Sequence, residues 1–358
     1  MKKLTTIKKV TGGTSSWARQ PIKSMISTFL AIGSYQNVVF GAAFLCIINP
    51  CDNKLGGFIL KLAMIGLGKM GINLTENLIR NGNEVVAFDL SDAARNDAST
   101  LGAQVEQTLE DAIKQLQAPR IVWVMLPAGN PTNETIDKLS EILDPNDIVI
   151  DGGNSFFEDS LKHNQILKDK QIKFFDVGTS GGMSGANRDG NFMIGGDDEK
   201  TFEYIEPIFK GIAQTDGYLY TGKAGSGHYL KMVHNGIEYG MMQAIAEGFD
   251  VLEHSQFDYN KEAVAKVWEH GSVIRGWLME LTQSAFSKDP NLDEIKGIMH
   301  SSGEGKWTLE EALKLQVPTP VIAASLMMRY RSLEDDTFTG KVVAALRNEF
   351  GGHDVDKK

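Results

Sequence analysis

Cysteine is almost absent from the chain, since only Cys46 and Cys51 occur among its 358 residues and both lie in the first sixty. From residue 61 onward the sequence therefore excludes structural disulfides and thiolate metal sites, as is usual in a reducing compartment. No cluster of His and Asp residues shows metal-ligand spacing either. We therefore expect a cytoplasmic protein that uses no metal.

Basic residues are in the minority, with 36 Lys and Arg against 46 Asp and Glu and a formal net charge of −10. An acidic protein is repelled by nucleic acids and anionic membranes, so we expect no nucleic acid as a partner, and no membrane unless the N-terminal segment is a real anchor. An anionic substrate would need basic groups concentrated at its own site. At 358 residues and 42% hydrophobic content, the chain is long enough for two domains with sizeable cores.

The chain has little that could form a membrane segment. One mostly apolar run, "MISTFLAIGSYQNVVFGAAFLCIINP" at residues 25–50, is interrupted by Ser, Tyr, Gln and Asn. Residues 1–59 also carry seven basic residues against a single acid, Asp52. A basic segment before an apolar run is typical of a signal sequence or an interfacial anchor, but the polar interruptions disfavour a stable span.

A glycine-rich turn lies between two predicted strands shortly after this segment. The patterns predict strands at 61–65 and 84–88, the turn "GLGKMG" at 66–71 and a helix at 72–81. With Asp89 closing the second strand, this order is the fingerprint of a Rossmann dinucleotide-binding domain.

Each glycine of the turn has its own predicted role. Gly66 permits the tight bend, Gly68 lets the backbone approach a pyrophosphate, and Gly71 allows close packing of helix against strand. The helix then offers its unpaired N–H groups to the diphosphate.

Asp89 favours NAD over NADP. A carboxylate at this place accepts hydrogen bonds from both ribose hydroxyls but repels a 2′-phosphate. The next residues are Leu90, Ser91 and Asp92, and the nearest cation is Arg95. Nothing basic therefore follows directly to hold a 2′-phosphate.

Further buried strands are predicted in the runs "RIVWVMLPAG" (120–129), "DIVIDGGNS" (147–155) and "IKFFDVGTSGGMSGA" (172–186), followed by "NFMIGG". The carboxyl ends of parallel strands face the ligand crevice. Candidates for contacting a nicotinamide and a substrate there are Asn154, Ser180, Gly181 and Gly182.

Four polar residues share one face of a predicted helix in the stretch "KMVHNGIEYGMMQAIAEGFDVLEH" at 231–254. Lys231, His234, Asn235 and Glu238 are spaced i, i+3, i+4 and i+7. Because their neighbours on the helix are apolar, this face would carry a large desolvation penalty unless it lined a cleft. The spacing therefore indicates a catalytic face.

The motifs "DGGNS", "GTSGGMSGA", "MIGG", "KMVHNGIEYG" and "KVVAALRNEFGGH" together resemble decarboxylating 6-phosphogluconate dehydrogenase, in particular its short, NAD-using branch. The resemblance covers residues 60 to about 355. It implies a β-hydroxyacid dehydrogenase fold, with an α/β Rossmann dinucleotide-binding domain followed by an all-helical C-terminal domain. We accordingly expect an N-terminal extension at 1–59, the NAD-binding domain at 60–225 and a substrate and dimerisation domain at 226–358.

The resemblance also implies roles for the helix face. Lys231 matches the base that takes the proton of the substrate's C3 hydroxyl, and it needs a pKa lowered by burial. Glu238 matches the acid that protonates the enediol left after loss of carbon dioxide. The residues matching substrate contacts are Asn154, Ser180, Gly181, Gly182, His234, Asn235, Tyr239, Arg275, Arg347 and His353. Those expected at the cofactor are Gly66, Gly68, Lys69, Met70, Gly71, Asp89, Leu126, Pro127 and Asn154.

The tail motif "RNEFGGH" implies an oligomer. In relatives this tail reaches into the site of a neighbouring subunit, so Arg347 and His353 would complete the partner's pocket. We therefore expect a homodimer or homotetramer that binds a sugar-acid phosphate.

One motif departs from the family. In the longer form of this family, a lysine ahead of the Gly-x-Gly-Lys-Trp motif binds the phosphate. Here the stretch "HSSGEGKWT" has Ser302 at that place, with Glu304 two residues further on. That leaves the mode of phosphate binding open, with Lys306 as one possible substitute.

Three explanations remain for residues 1–59. Related chains begin Met-Lys-Leu-Ala-Met-Ile-Gly, and Leu60 stands where that methionine would be, so translation could begin at a leucine codon there. The alternatives are a true targeting or anchoring segment and a dispensable cytosolic extension.

Two rival functions fit parts of the sequence. The first is a dehydrogenase of a non-phosphorylated β-hydroxyacid such as 3-hydroxyisobutyrate, which would not need Arg275, Arg347 and His353 together. The second is a membrane-attached NAD-sensing scaffold built on an inactive dehydrogenase, which would have no catalytic reason to keep both Lys231 and Glu238.

Overall fold

A computed structural model of the protein describes residues 59–357, so the expectations for residues 1–58 lie outside the described part. Within that range no helix combines the length and the apolar character needed to cross a bilayer. Leu60 is buried, and its carbonyl accepts a hydrogen bond from Glu84 N at 3.0 Å. Leu60 is therefore part of the core beside the first strand.

The first half is built on an eight-stranded sheet with the order β3-β2-β1-β4-β5-β6-β7-β8. The strands are β1 Lys61–Ile65, β2 Glu84–Phe88, β3 Gln104–Val105, β4 Ile121–Val124, β5 Ile148–Asp151, β6 Lys173–Ser180, β7 Gly190–Gly196 and β8 Ala213–Gly222. All neighbouring pairs are parallel except β6 and β7. The carboxyl ends of β1, β2, β4, β5 and β6 therefore meet at one edge.

Helices cover both faces of this sheet. They are α1 Lys69–Arg80, α2 Asp92–Thr100, α3 Leu109–Lys114, α4 Asn130–Ile142, α5 Phe157–Asp169, α6 Gly182–Asn187 and α7 Glu199–Ile212. Alternate residues of β1 enter opposite cores, with Leu62 and Met64 on one side and Ala63 and Ile65 on the other. The near-continuous apolar strands follow from this burial on both faces.

The run predicted at 172–186 contains a strand and then a short helix. β6 ends at Ser180, and Gly181 and Gly182 have φ of 95° and 59°, left-handed values that suit glycine. The chain then reverses, so β7, predicted from "NFMIGG", runs antiparallel to β6. The polar loop after β6 therefore stays at the ligand edge.

The second half contains six helices within the described residues. They are α8 Ser226–Glu253, α9 Lys261–Glu269, α10 Trp277–Lys288, α11 Gly303–Lys314, α12 Pro320–Arg331 and α13 Phe338–Gly351. A small core forms around Phe249, Ala265, Met279 and Phe286. The predicted fold class, a Rossmann-type domain followed by a helical one, is confirmed.

Candidate active site

The glycine turn has the geometry that a diphosphate site requires. Gly66 has a φ of 99°, and a Cβ built on it would overlap the Met125 carbonyl. Gly71 approaches the Gly66 carbonyl equally closely, whereas a Cβ on Gly68 would point into open space. That space beside Gly68 can hold a pyrophosphate.

Helix α1 begins at Lys69 rather than at Ile72, because Gly68 already serves as its N-cap. No side chain caps this end. Lys69 is exposed and Met70 is half-buried. The first N–H groups of the helix are therefore available to an anion.

Asp89 holds the turn and stays available to a ribose. Its Oδ2 accepts a hydrogen bond from Leu67 N at 2.7 Å, and its Oδ1 accepts one from Ser91 N at 2.8 Å. Each carboxylate oxygen has a further lone pair for a hydroxyl group. The arrangement fits a dinucleotide whose ribose lies beside the turn.

Arg95, the nearest cation in sequence, is committed to protein groups. It is buried, and its guanidinium donates to the Asp89 carbonyl, to the Asp92 carboxylate and to Gln107 Oε1, the last at 2.9 Å. Leu90 is fully accessible, at 90% exposure. In this arrangement no free basic group follows Asp89 directly.

The loops after β4 and β5 close the crevice beside the turn. The Pro127 carbonyl accepts a hydrogen bond from Thr132 Oγ1 at 2.9 Å, and the Leu126 carbonyl lies against Gly153. Asn154 has a φ of 53°, and its amide bonds Thr179 N at 2.9 Å and Thr179 O at 3.1 Å. Asn154 thus ties its loop to β6, a contact that the sequence did not reveal.

Lys231 is at the centre of a polar cluster between β6 and α8. Its Nζ donates to Asn235 Oδ1 at 2.7 Å and to Ser180 Oγ at 3.2 Å, and lies 3.3 Å from His234 Nδ1. Lys231 is only 4% exposed. Gly178 allows this approach, since any Cβ there would overlap the Lys231 side chain.

Burial lowers the pKa of Lys231, and the charges of Glu238 and Glu304 oppose that shift. A lysine with a lowered pKa has a neutral, proton-accepting fraction closer to physiological pH. Glu238 lies at the mouth of the cluster, 39% exposed, with Oε2 3.8 Å from His234 Nδ1. The structure thus brings together a potential base and a potential acid.

A buried carboxylate on β6 fixes the start of α8. Asp176 is fully buried and accepts hydrogen bonds from Gly225 N at 2.6 Å and His228 N at 2.8 Å. Burial raises the pKa of this carboxyl. His228 in turn bonds Ser160 Oγ through Nδ1 at 2.7 Å. The sequence analysis missed Asp176, although an acid inside the apolar strand "FFDVG" was a signal.

A second polar group forms around Tyr239, the residue that follows Glu238 on α8. The Tyr239 hydroxyl accepts a hydrogen bond from Ser302 N at 3.1 Å and lies 3.2 Å from Ser302 Oγ. The Arg329 guanidinium lies 3.6 Å from the centre of the Tyr239 ring and donates to the His300 carbonyl at 2.8 Å. Arg329 was also missed, because nothing local distinguishes it from other basic residues of α12.

Three expected substrate residues make no contact with this cluster in the described part of the chain. Among residues 59–357 no hydrogen bond, ion pair or ring contact joins Arg275, Arg347 or His353 to Lys231 or Tyr239. Arg275 is exposed in the loop before α10, and Trp277 of that helix lies near Gly182. Arg347 is on α13, which has no buried residue. Within one chain, these groups do not complete the pocket.

Lys306, the other possible phosphate residue, forms an exposed ion pair with Glu310 at 3.3 Å. In the described part of the chain, no group of three or more His, Cys, Asp or Glu side chains could hold a metal ion.

Two family models match successive parts of the chain. Residues 61–223 match the NAD binding domain of 6-phosphogluconate dehydrogenase, and residues 227–357 match the C-terminal domain of 6-phosphogluconate dehydrogenase. A nicotinamide dinucleotide is therefore the cofactor class of the first domain.

Curated relatives agree with these matches. Over 299 residues the chain is 56% identical to Bacillus subtilis YqeC, provisionally named a 6-phosphogluconate dehydrogenase, covering 84% of this chain and 100% of that protein. It is 40% identical over 301 residues to a Haloferax volcanii protein named 6-phosphogluconate dehydrogenase, NAD(+)-dependent, decarboxylating, covering 84% of this chain and 99% of the other.

Solved structures share the fold. The Plasmodium falciparum 6-phosphogluconate dehydrogenase structure matches with a TM-score of 0.70 and 28% identity, covering 83% of this chain and 66% of that one. A Mycobacterium tuberculosis 3-hydroxyisobutyrate dehydrogenase matches with a TM-score of 0.61 at 22% identity, over 81% of this chain and 99% of that one. The latter likeness concerns the fold alone. Because both halves match and a relative of nearly equal extent is 56% identical, the chain belongs to the 6-phosphogluconate dehydrogenase family.

Proposed function

We propose that the protein oxidises and decarboxylates 6-phosphogluconate to ribulose 5-phosphate and carbon dioxide, with NAD as the preferred cofactor. The observation that carries this proposal is the buried Lys231, whose Nζ contacts Ser180, His234 and Asn235, with Glu238 at the mouth of the same site. The match of the second half to the 6-phosphogluconate dehydrogenase C-terminal domain favours this substrate over 3-hydroxyisobutyrate.

The first step needs a base beside the C3 hydroxyl. Neutral Lys231 takes the hydroxyl proton, and Ser180 and Asn235 hold its amine in place. The Gly66–Gly71 turn and Asp89 would hold the dinucleotide, whose nicotinamide would take up the hydride that leaves C3. The product of this step is a β-keto acid, with Lys231 now an ammonium.

The second step is loss of carbon dioxide. The Lys231 ammonium donates a hydrogen bond to the new C3 ketone, which takes up the electron pair as the bond from C2 to the carboxyl carbon breaks. The C3 oxygen takes a proton from Lys231, so the product is an enediol that spans C2 and C3. Glu238 then gives a proton to the former C2, which becomes C1 of ribulose 5-phosphate, and the C3 hydroxyl returns its proton to Lys231 as the ketone forms again.

The phosphate end of the substrate would bind beside Tyr239. There the Tyr239 hydroxyl, the Ser302 N–H group and the Arg329 guanidinium lie together. An arginine fork suits a phosphate dianion. Arg329 thereby offers a cation where the sequence lacks the long form's lysine at position 302.

The preference for NAD rests on Asp89. Its carboxylate can accept from ribose hydroxyls but repels a 2′-phosphate, while Arg95 is held by Asp92 and Gln107. We also propose that residues 60–225 bind the dinucleotide and that residues 226–358 supply the substrate site and the subunit contacts. A cytoplasmic homodimer or homotetramer would then carry two or more complete sites.

The direct test is dinucleotide reduction with 6-phosphogluconate. Full-length protein and a chain beginning at residue 60 are assayed side by side with NAD and with NADP, and carbon dioxide is collected. Reduction of NAD with one carbon dioxide per turnover is the expected result. Turnover of 3-hydroxyisobutyrate but not of 6-phosphogluconate would refute the proposal.

A further inference from the structure

The Glu304 carboxylate is an unpaired acid beside the proposed substrate site. Its Oε2 is buried and accepts no hydrogen bond within residues 59–357. Yet its negative charge acts on Lys231, where it opposes the effect of burial on the lysine pKa. A buried carboxylate oxygen without a donor is costly, which suggests that a donor arrives with a ligand.

The position of Glu304 is fixed by tight packing of α11 on α8. The Thr308 hydroxyl lies 2.6 Å from the Met232 carbonyl and 2.9 Å from the Glu304 carbonyl. Gly236 makes this approach possible, since a Cβ there would lie 2.8 Å from Thr308 Cγ2. Met232 follows Lys231 directly. The Thr308 hydroxyl therefore joins the backbone of Glu304 to the turn of α8 that carries Lys231.

Glu304 is also next to the phosphate end. Ser302, two residues before it, bonds the Tyr239 hydroxyl. Gly305, one residue after it, packs so closely on the Tyr239 ring that an added Cβ would lie 2.6 Å from Tyr239 Cε2. Glu304 thus lies between two residues that contact Tyr239, and its charge also acts on Lys231.

The substrate's chemistry matches this interval. Two carbons, C4 and C5, separate the oxidised C3 from the carbon that bears the phosphate, and each carries a hydroxyl group. Lys231 directs its hydrogen bonds to Asn235 and Ser180 rather than to Glu304. A substrate hydroxyl can donate a hydrogen bond to a carboxylate and accept one from another donor at the same time. It can therefore supply the donor that the Glu304 carboxylate lacks.

We propose that Glu304 is a specificity-determining residue whose carboxylate accepts hydrogen bonds from the C4 and C5 hydroxyls of the substrate. This inference rests on the proposed function, because it assumes that 6-phosphogluconate lies between Lys231 and Tyr239. Glu304 would then select polyhydroxy acids and would have no role in holding the phosphate.

The test combines two variants with two altered substrates. Glu304→Gln removes the charge and keeps the size, and Glu310→Gln on the same helix is the matched control, since Glu310 only pairs with the exposed Lys306. Each is assayed with 6-phosphogluconate and with its 4-deoxy and 5-deoxy analogues. The melting temperature and the KM for NAD are measured alongside.

For Glu304→Gln we expect kcat/KM for 6-phosphogluconate to fall about 10- to 100-fold, the range for a hydrogen bond to a charged acceptor. With the wild-type enzyme, kcat/KM for at least one deoxy analogue should be lower than kcat/KM for 6-phosphogluconate by a similar factor. With the variant, the difference between that analogue and 6-phosphogluconate should be much smaller, as expected when the carboxylate and the missing hydroxyl form one contact. The KM for NAD should be unchanged, and Glu310→Gln should behave as wild type.

Three outcomes would overturn the inference. In the first, Glu304→Gln turns over 6-phosphogluconate at the wild-type rate. In the second, removing either hydroxyl from the substrate lowers kcat/KM by the same factor in the variant as in the wild type, while the acid limb of the pH profile shifts. That pattern would mean that Glu304 acts only through Lys231. In the third, the wild-type enzyme accepts both deoxy analogues as well as 6-phosphogluconate, a result that decides the question even if the variant does not fold. Failure of the wild type on 6-phosphogluconate itself would instead remove the proposed function, and this inference with it.

Discussion

The sheet half and the helical half of the molecule differ in how completely one chain buries them. The largest fully buried side chains, such as Trp123, Phe175 and Phe209, are all in the sheet half. The helical half has a core of four buried residues, and α13 buries none. Large apolar side chains stay exposed there, among them Val273, Phe338 and Phe350.

This difference is the one expected if the helical half forms the subunit contacts that we propose. One chain brings together the residues proposed to bind the dinucleotide, from Gly66 to Asp89, whereas within residues 59–357 no hydrogen bond or ion pair joins Arg347 or His353 to Lys231. Exposed apolar surface on this scale is typical of subunit interfaces. We therefore expect cofactor binding to be a property of the single chain and turnover a property of the oligomer.

Lys231→Met should have the largest effect on turnover. It should also separate turnover, which depends on the helical half, from NAD binding, which depends on the sheet half. Turnover should fall at least about 1000-fold, since a positioned base commonly contributes 10²–10⁴-fold to the rate. The dissociation constant for NAD, measured by fluorescence titration, should stay within about twofold of wild type because the crevice is untouched. Loss of NAD binding as well would contradict the role of Lys231 as the base.

Arg347→Ala should lower kcat/KM about 100-fold, as expected when one partner of a buried arginine–phosphate pair is lost. If the tail of one subunit completes the site of another, two inactive variants can repair each other. Lys231→Met and Arg347→Ala are denatured together and refolded as a mixture. Half of the resulting dimers are then mixed, and each has one intact site, so about a quarter of wild-type activity should return.

The control for this mixture is Lys231→Met combined with Glu238→Gln. Both residues are on α8 of the same chain, so a mixed dimer has no intact site. No recovery with Arg347→Ala would show that each chain builds its own pocket. Recovery in this control would show that the regained activity does not come from a shared tail.

Local sequence patterns were enough to predict the parts of the site that lie on one element. The glycine turn follows from the conformational needs of Gly66 and Gly71, and the α8 face follows from the 3.6-residue period. Even so, α1 begins three residues earlier than its apolar periodicity, because Gly68 acts as N-cap without any side-chain signal.

Contacts between distant elements were not predictable in this way. Arg329 meets Tyr239 only because α12 packs on α8, and no periodicity specifies which basic residue of a helix will face a neighbour. The same holds for Asp176, whose partners Gly225 and His228 lie at the start of α8, about fifty residues further along the chain. The direction of β7 also depended on backbone torsion at Gly181 and Gly182, which the residue types permit but do not dictate.

Changing the cofactor preference should alter the sheet half alone. Asp89→Asn with Leu90→Arg removes the repulsion of a 2′-phosphate and adds a cation at an exposed position. The ratio of kcat/KM for NADP to that for NAD should rise about 10- to 100-fold. The KM for 6-phosphogluconate should not change, and Leu90→Ala is the control for loss of the side chain. An unchanged ratio would contradict the assigned ribose contact.

The smallest expected effect concerns the pKa of Lys231, to which both halves contribute. Because burial lowers this pKa and the neutral amine is the base, kcat/KM should rise with pH through a pKa below the ordinary lysine value. Ser180 on β6 accepts a hydrogen bond from the Lys231 Nζ at 3.2 Å, which favours the charged form. Ser180→Ala should therefore lower the pKa further and move the acid limb of the profile to lower pH, by about half a unit for one neutral acceptor.

The control is Ser184→Ala, which changes an exposed serine in the next helix and should leave the acid limb in place. Movement of the limb to higher pH in Ser180→Ala would mean that Lys231 is not the group that titrates.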